Sequence, residues 1–140
     1  TELAIAAIRA TADELGAGLQ ALMQRAPDPA AALQTWVDGA LKRLQSSGFE
    51  RGCPLATVAL ESTADDPSLR AALAEAFALM RGHVAAALQR AGHTPERAAA
   101  LSALILAAYE GGLLQARVAQ SLEPLRESIR TLLPLLQVPA

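Results

Sequence analysis

The sequence predicts an all-helical domain, and three observations predict it. Hydrophobic residues make up 52% of the 140 positions but aromatics only 3%. The apolar content is mainly Ala and Leu, strong helix formers, with few of the β-branched residues that favour strands. Apolar positions recur at alternating steps of three and four, the spacing of one helix face. Proline-bearing breaks led by Asp or Thr then divide the chain at intervals that suit helix boundaries. At this length the chain is one ordinary domain with room for a substantial core.

The first helix is expected from Glu2 to about Arg25, with Ile5, Ile8, Ala12, Leu15, Leu19 and Leu22 as its stripe. Gly16 and Gly18 weaken it by about 1 kcal/mol each relative to Ala. It opens almost at the first residue with no capping segment ahead of it, as expected where a preceding segment is absent. "PDP" at Pro27 to Pro29 ends it and starts the second helix, with Asp28 as cap and Pro29 at the first helical position. Leu33, Trp36, Val37, Ala40, Leu41 and Leu44 form the second stripe, and Gly48 closes it. A short helix follows from Pro54 to about Ser62.

Asp66 and Pro67 start a long fourth helix to Gly92, striped by Leu69, Leu73, Ala76, Phe77, Met80, Val84, Ala87 and Leu88. Thr94 and Pro95 start a fifth, to roughly Gln120, and Ser121 opens the last. That last helix carries Leu122, Leu125, Ile129, Leu132 and Leu136, a nearly coiled-coil spacing, and Pro134 kinks or frays its end. The count is six helices, without strands or internal repeats.

Charge and composition exclude several function classes. The net charge is −2 and the pI about 5.6, and no basic run could neutralise several phosphates, so these residues have no general attraction for nucleic acid. The single cysteine, Cys53, cannot form an internal disulfide, which fits a reducing compartment. The opening residues show no signal-peptide pattern, so none is expected. The apolar run from Ala98 to Tyr109 is shorter than the about 20 residues a bilayer span needs, so a cytoplasmic protein without membrane contact is expected.

The fifth helix is apolar nearly all round between Ala98 and Ala119, where Ser102, Glu110, Gln115 and Arg117 are the polar residues. Such a helix needs cover on nearly every side. Its own neighbours supply one side, and a second copy of the chain is expected to supply another through a four-helix bundle. Leu104, Gly112, Ala116, Leu122, Leu125, Ile129 and Leu132 are the expected dimer residues, with Gly111, Gly112 and Ala116 small enough for close backbone approach.

The chemistry-bearing residues assemble no catalytic constellation. His83 and His93 lie ten positions apart with Gly92 between them, a spacing that supports no metal site, so neither metal nor cofactor is expected. No Gly-rich phosphate loop is present and Cys53 has no local histidine. An enzyme is not expected. Trp36, Phe77, Met80 and Tyr109 are scarce bulky side chains among alanines and either fill the core or line a cavity in it. His83 lies at the edge of the fourth stripe and joins them as a weaker candidate. Arg117, set in the apolar helix, calls for a partner, and Glu61 or Glu110 could supply it.

Three blocks together carry a family likeness. "SGFERGCPLATVALES" at Ser47 to Ser62, "DPSLRAALAEAF" at Asp66 to Phe77 and "EGGLLQARVAQSLEPLR" at Glu110 to Arg126 resemble the C-terminal domain of TetR-family transcriptional regulators, in the LmrA/YxaF-like subgroup. The opening "TELAIAAI" is similar to the start of the helix that follows the helix-turn-helix in those proteins. Residues 1–140 then correspond to the ligand-sensing and dimerisation domain, without the DNA-binding domain.

The resemblance implies an all-helical domain that dimerises through its last two helices and encloses a small-molecule pocket, whose effector controls operator binding by the absent head. The ligand is expected to be small and mostly apolar, held among the first, second, fourth and fifth helices. Gly52, Cys53 and Pro54, with Glu61 and Arg117, are expected to be structural, Cys53 lying at the start of the third helix close to where the DNA-binding head would pack. Two other readings are a helical interaction module without a ligand and a Cys53 redox sensor, the latter requiring a low thiol pKa and exposure.

Overall fold

A computed structural model describes residues 2–61 and 65–139. They form α1 (Glu2–Arg25), α2 (Pro29–Ser46), α3 (Pro54–Glu61), α4 (Pro67–Arg90), α5 (Pro95–Ala119) and α6 (Glu123–Leu132), then a 3-10 turn over Leu133–Leu136. No strand occurs among the described residues. The end predicted for the third helix at Ser62 lies outside them.

Three of the starts use one device. A side-chain oxygen satisfies a backbone N–H of the first turn, and proline occupies the next position, where its missing N–H costs nothing. Asp28 accepts from Ala31 N at 2.8 Å, Asp66 from Leu69 N at 3.0 Å and Thr94 from Arg97 N at 3.1 Å. The last helix differs from expectation. It starts at Glu123 with Leu122 in the cap position, and Ser121 instead accepts from Glu123 N at 3.2 Å. At Pro134 the α-helix tightens into the 3-10 turn, since proline cannot supply the next α-helical hydrogen bond. His93, buried between α4 and α5, donates from Nε2 to the Leu136 carbonyl at 2.8 Å and ties that turn down.

Packing joins α1 to α4 and α5 to both α4 and α6. Two glycines mark where helices touch most closely. A Cβ at Gly16 would lie 3.2 Å from His83 Nε2 and 3.3 Å from Leu79 Cδ2, and one at Gly112 would lie 2.7 Å from Leu125 Cδ1 and 3.0 Å from Leu125 Cα. The buried side chains fall into two clusters. The larger runs through the C-terminal half of α1 and through α2, α4, α5 and α6, and the smaller joins Ile8, Ala12, Leu55, Ala72, Leu73 and Ala76. Leu15 and Cys53 touch both. The core is therefore divided, and what lies at the division positions the site.

The α5–α6 seam within one chain already uses most of the expected dimer residues. Gly112, Ala116, Leu125, Ile129 and Leu132 are buried within one chain, where they seat α6 on α5, and Leu122 is half-buried beside them. Their apolar stripe is packed within the chain. Leu104 is presented, at 44% exposure, as are Leu114 at 45% and Val118 at 79%. With Ala100, Ala103, Ala107 and half-buried Gly111, these residues recur every three or four positions along the length of α5. Gln115 is the polar residue on that uncovered strip.

By length and composition α4 and α5 could each cross a bilayer, which the shorter apolar run read from the sequence did not reveal. Each packs one face into the bundle, where Leu88 and Ala98 are fully buried.

Candidate ligand-binding cavity

At the division of the core lies a cavity of about 1020 Å³, at the upper end of the range for small-molecule sites. Helix α1 contributes Thr11, Glu14 and Leu15 to its wall, α2 contributes Trp36, Ala40 and Arg43, and α4 contributes Phe77 and Met80. Tyr109, Glu110 and Leu113 of α5 form another side. The loop Ser47–Cys53 and the start of α3 complete it. That loop turns sharply because Gly48 and Phe49 both adopt positive φ, at 68° and 65°, while Phe49 N bonds back to the Leu44 carbonyl at 2.8 Å.

The four bulky residues singled out in the sequence thus meet on one surface, Trp36 and Tyr109 as a tilted ring pair with centroids 6.2 Å apart. His83 does not reach it. Its ring packs on α1 beside Gly16, outside the cavity wall. The Gly52–Cys53–Pro54 block, read as a joint, is part of the wall. Glu61 and Arg117 are both exposed, and among the described residues neither Glu61 nor Glu110 lies within ion-pair distance of Arg117.

The residue that the sequence reading missed in the cavity is Glu110. Its Oε2 is buried and has no hydrogen-bond partner. Burial raises its pKa above the ordinary 4.5, and a hydrogen bond from Cys53 offsets this only in part. Cys53 is in turn pushed up to about 12, first by burial and then by the Glu110 charge. Burial also raises Tyr109, with Cys53 and Glu110 adding to it and Arg43 opposing. A signal for Glu110 existed in the sequence, since it directly follows Tyr109 in an otherwise apolar helix. A thiol held this far up is protonated at neutral pH, the opposite of what an oxidant sensor requires. No cluster of three metal-ligating side chains occurs among the described residues.

Glu110 gives the fold a pH signature. Because its folded pKa lies above its unfolded one, the folded chain holds more protons in the interval between them. Its contribution to stability is complete below about 4.5 and is lost as pH rises through the folded value. The difference in unfolding free energy between the chain and Glu110→Gln is therefore expected to shift in favour of the variant over that interval. Parallel denaturant curves across pH measure it, and a pH-independent difference would contradict the burial of this carboxyl.

Residues 29–131 match the family model described as the C-terminal domain of LmrA/YxaF-like transcriptional regulators. The crystal structure of a TetR transcriptional regulator from Legionella pneumophila is similar, with a TM-score of 0.81 at 22% identity, over 95% of this chain and 71% of that one. At that identity the likeness speaks for the fold. No curated relative matches the chain.

Proposed function

The chain belongs to the LmrA/YxaF-like C-terminal domain family of TetR regulators, and from that membership we propose that it is the effector-binding and dimerisation domain of a bacterial, cytoplasmic transcriptional repressor. A small, mostly apolar effector occupies the divided core, and a helix-turn-helix outside these residues makes the DNA contact. The domain carries no catalysis. The observation that supports this reading is the cavity itself, walled by Trp36, Phe77, Met80 and Tyr109 where a bundle of this composition could have closed on alanine and leucine.

Helix α5 links ligand to output. Tyr109, Glu110 and Leu113 face the cavity, while Ala107, Gly111 and Leu114 lie on the uncovered strip of the same helix. A homodimer formed on that strip gives α5 two neighbours whose spacing the cavity's contents can bias, a rigid-body response of packed helices. The alternative of an interaction module without a ligand leaves the cavity without a role.

Nile red, a neutral apolar fluorophore, tests the reading. Titration is expected to saturate at about one dye per chain with blue-shifted emission. Thr57→Trp, which projects an indole into the cavity, is expected to weaken it while leaving the helical signal intact. The absence of saturable binding, or binding indifferent to Thr57→Trp, would overturn the cavity as an effector site.

A further inference from the structure

Resting on that reading of the cavity, we propose that its effector is an organic cation, an aromatic or aliphatic body bearing a protonated nitrogen that pairs with Glu110. The argument begins with the orphan oxygen. A buried carboxyl oxygen without a donor is costly, and nothing in the chain compensates for Glu110 Oε2. The oxygen belongs to a residue on the cavity wall, so a bound molecule can supply the missing donor.

The charges around it favour a cationic donor over a neutral one. On the cavity wall Glu14 of α1, Glu50 of the loop and Glu110 of α5 face Arg43 of α2 and Arg51 of the loop. Glu14 and Glu50 balance Arg43 and Arg51 on the exposed part of the wall, which leaves Glu110 without an ion-pair partner of its own. Helix α4 contributes Phe77 and Met80 there, and neither is ionisable. Cys53 and Tyr109, the other titratable neighbours, are held neutral and offer no positive charge. Arg117 lines a smaller adjoining pocket of about 240 Å³ together with Glu110, but makes no ion pair with it.

The remaining wall suits the rest of such a molecule. The faces of Trp36, Tyr109 and Phe77 can each receive a cation or an aromatic body. Ionised Glu110 paired with the ligand nitrogen replaces a lone buried group by a hydrogen-bonded charge pair, the arrangement in which buried charge is tolerated. A bound cation favours the ionised form of Glu110, so its affinity is linked to pH through that carboxyl.

Three isosteric probes separate the possibilities in equilibrium titrations of the chain: naphthylmethylammonium, naphthylmethanol and naphthoate. The ammonium is expected to bind about tenfold or more tightly than the alcohol, the advantage of a hydrogen bond to a charged group. Glu110→Gln is expected to abolish that preference, and in the unchanged chain the preference is expected to weaken as pH falls and Glu110 takes up its proton. Equal binding of ammonium and alcohol, a preference for naphthoate, or a preference that survives Glu110→Gln would overturn the cationic class. Failure of the ammonium to bind where Nile red binds would do the same and leave the effector site standing. Loss of saturable binding for Nile red and all three probes would overturn both.

Discussion

Leu114→Glu is expected to convert the proposed homodimer into monomers at micromolar concentration. The expectation follows from the uncovered face of α5. Ala100, Ala103, Leu104, Ala107, Gly111, Leu114 and Val118 repeat along it, and a strip of this kind on a regulatory domain needs a partner. Leu114 lies on the strip one position beyond Leu113, which lines the cavity. Two-fold symmetry places two copies of the substitution in one interface. An unpaired carboxylate there loses its hydration, at about 3–5 kcal/mol when a buried charge lacks its partner. That magnitude corresponds to a weakening of roughly a hundredfold or more.

Leu3→Glu provides the control. Leu3 is the most exposed of the large apolar residues, at 84%, and stands on α1, away from the α5 strip. Sedimentation velocity should find this control dimeric and Leu114→Glu monomeric, with helical content unchanged in both. A Leu114→Glu chain that remains dimeric would move the interface elsewhere.

How much of this was legible in the sequence depended on whether a feature is local. Asp28, Asp66 and Thr94 each precede a proline, and capping is decided within four residues, so those three helix starts were readable. The start of α6 was not, because Ser121 makes a turn with Glu123 N that resembles a cap without being one. Rare bulky residues identified Trp36, Phe77, Met80 and Tyr109, because in an alanine-rich chain they set the few places where packing is uneven. His83 carried the same signal and went elsewhere, since its position on α4 points it at Gly16.

The expected dimer residues were harder to read for a different reason. A stripe shows that a face is buried but not which element buries it, and Leu125, Ile129 and Leu132 are buried by their own α5. On an all-round apolar helix the periodicity itself is lost, so the inward Leu113 and the outward Leu114 look alike. Glu110 was weighed only against Arg117, two turns away on its own helix. Its actual neighbour, Cys53, lies 57 positions earlier in the chain (110 − 53), a separation that no local pattern encodes.

Gly112→Ala is the second substitution expected to have a large effect, and its sign is the informative part. In a helix interior alanine normally improves on glycine by about 0.5–1 kcal/mol. At Gly82 of α4 an added Cβ meets nothing within 4 Å, so Gly82→Ala is expected to stabilise the chain by that amount. At Gly112 the added Cβ would sit 2.7 Å from Leu125 Cδ1 and 3.0 Å from Leu125 Cα. A new rotamer could relieve the overlap with the Leu125 methyl group, but Leu125 has no exposed surface into which to turn. The overlap with the Leu125 backbone can be relieved only by moving α6 away from α5.

Overpacking of this kind costs about 1–3 kcal/mol, which outweighs the propensity gain. A net loss of about 1–2 kcal/mol remains, a fall in Tm of roughly 3–8 °C for a domain of this size. Displacing α6 also pulls on the 3-10 turn that His93 holds through the Leu136 carbonyl, so hydrogen exchange in that turn should accelerate with the substitution. Thermal unfolding of the two alanine variants side by side gives the test. Opposite signs place α6 directly on the backbone of α5 at Gly112, whereas equal stabilisation would mean that the seam is looser than a single Cβ.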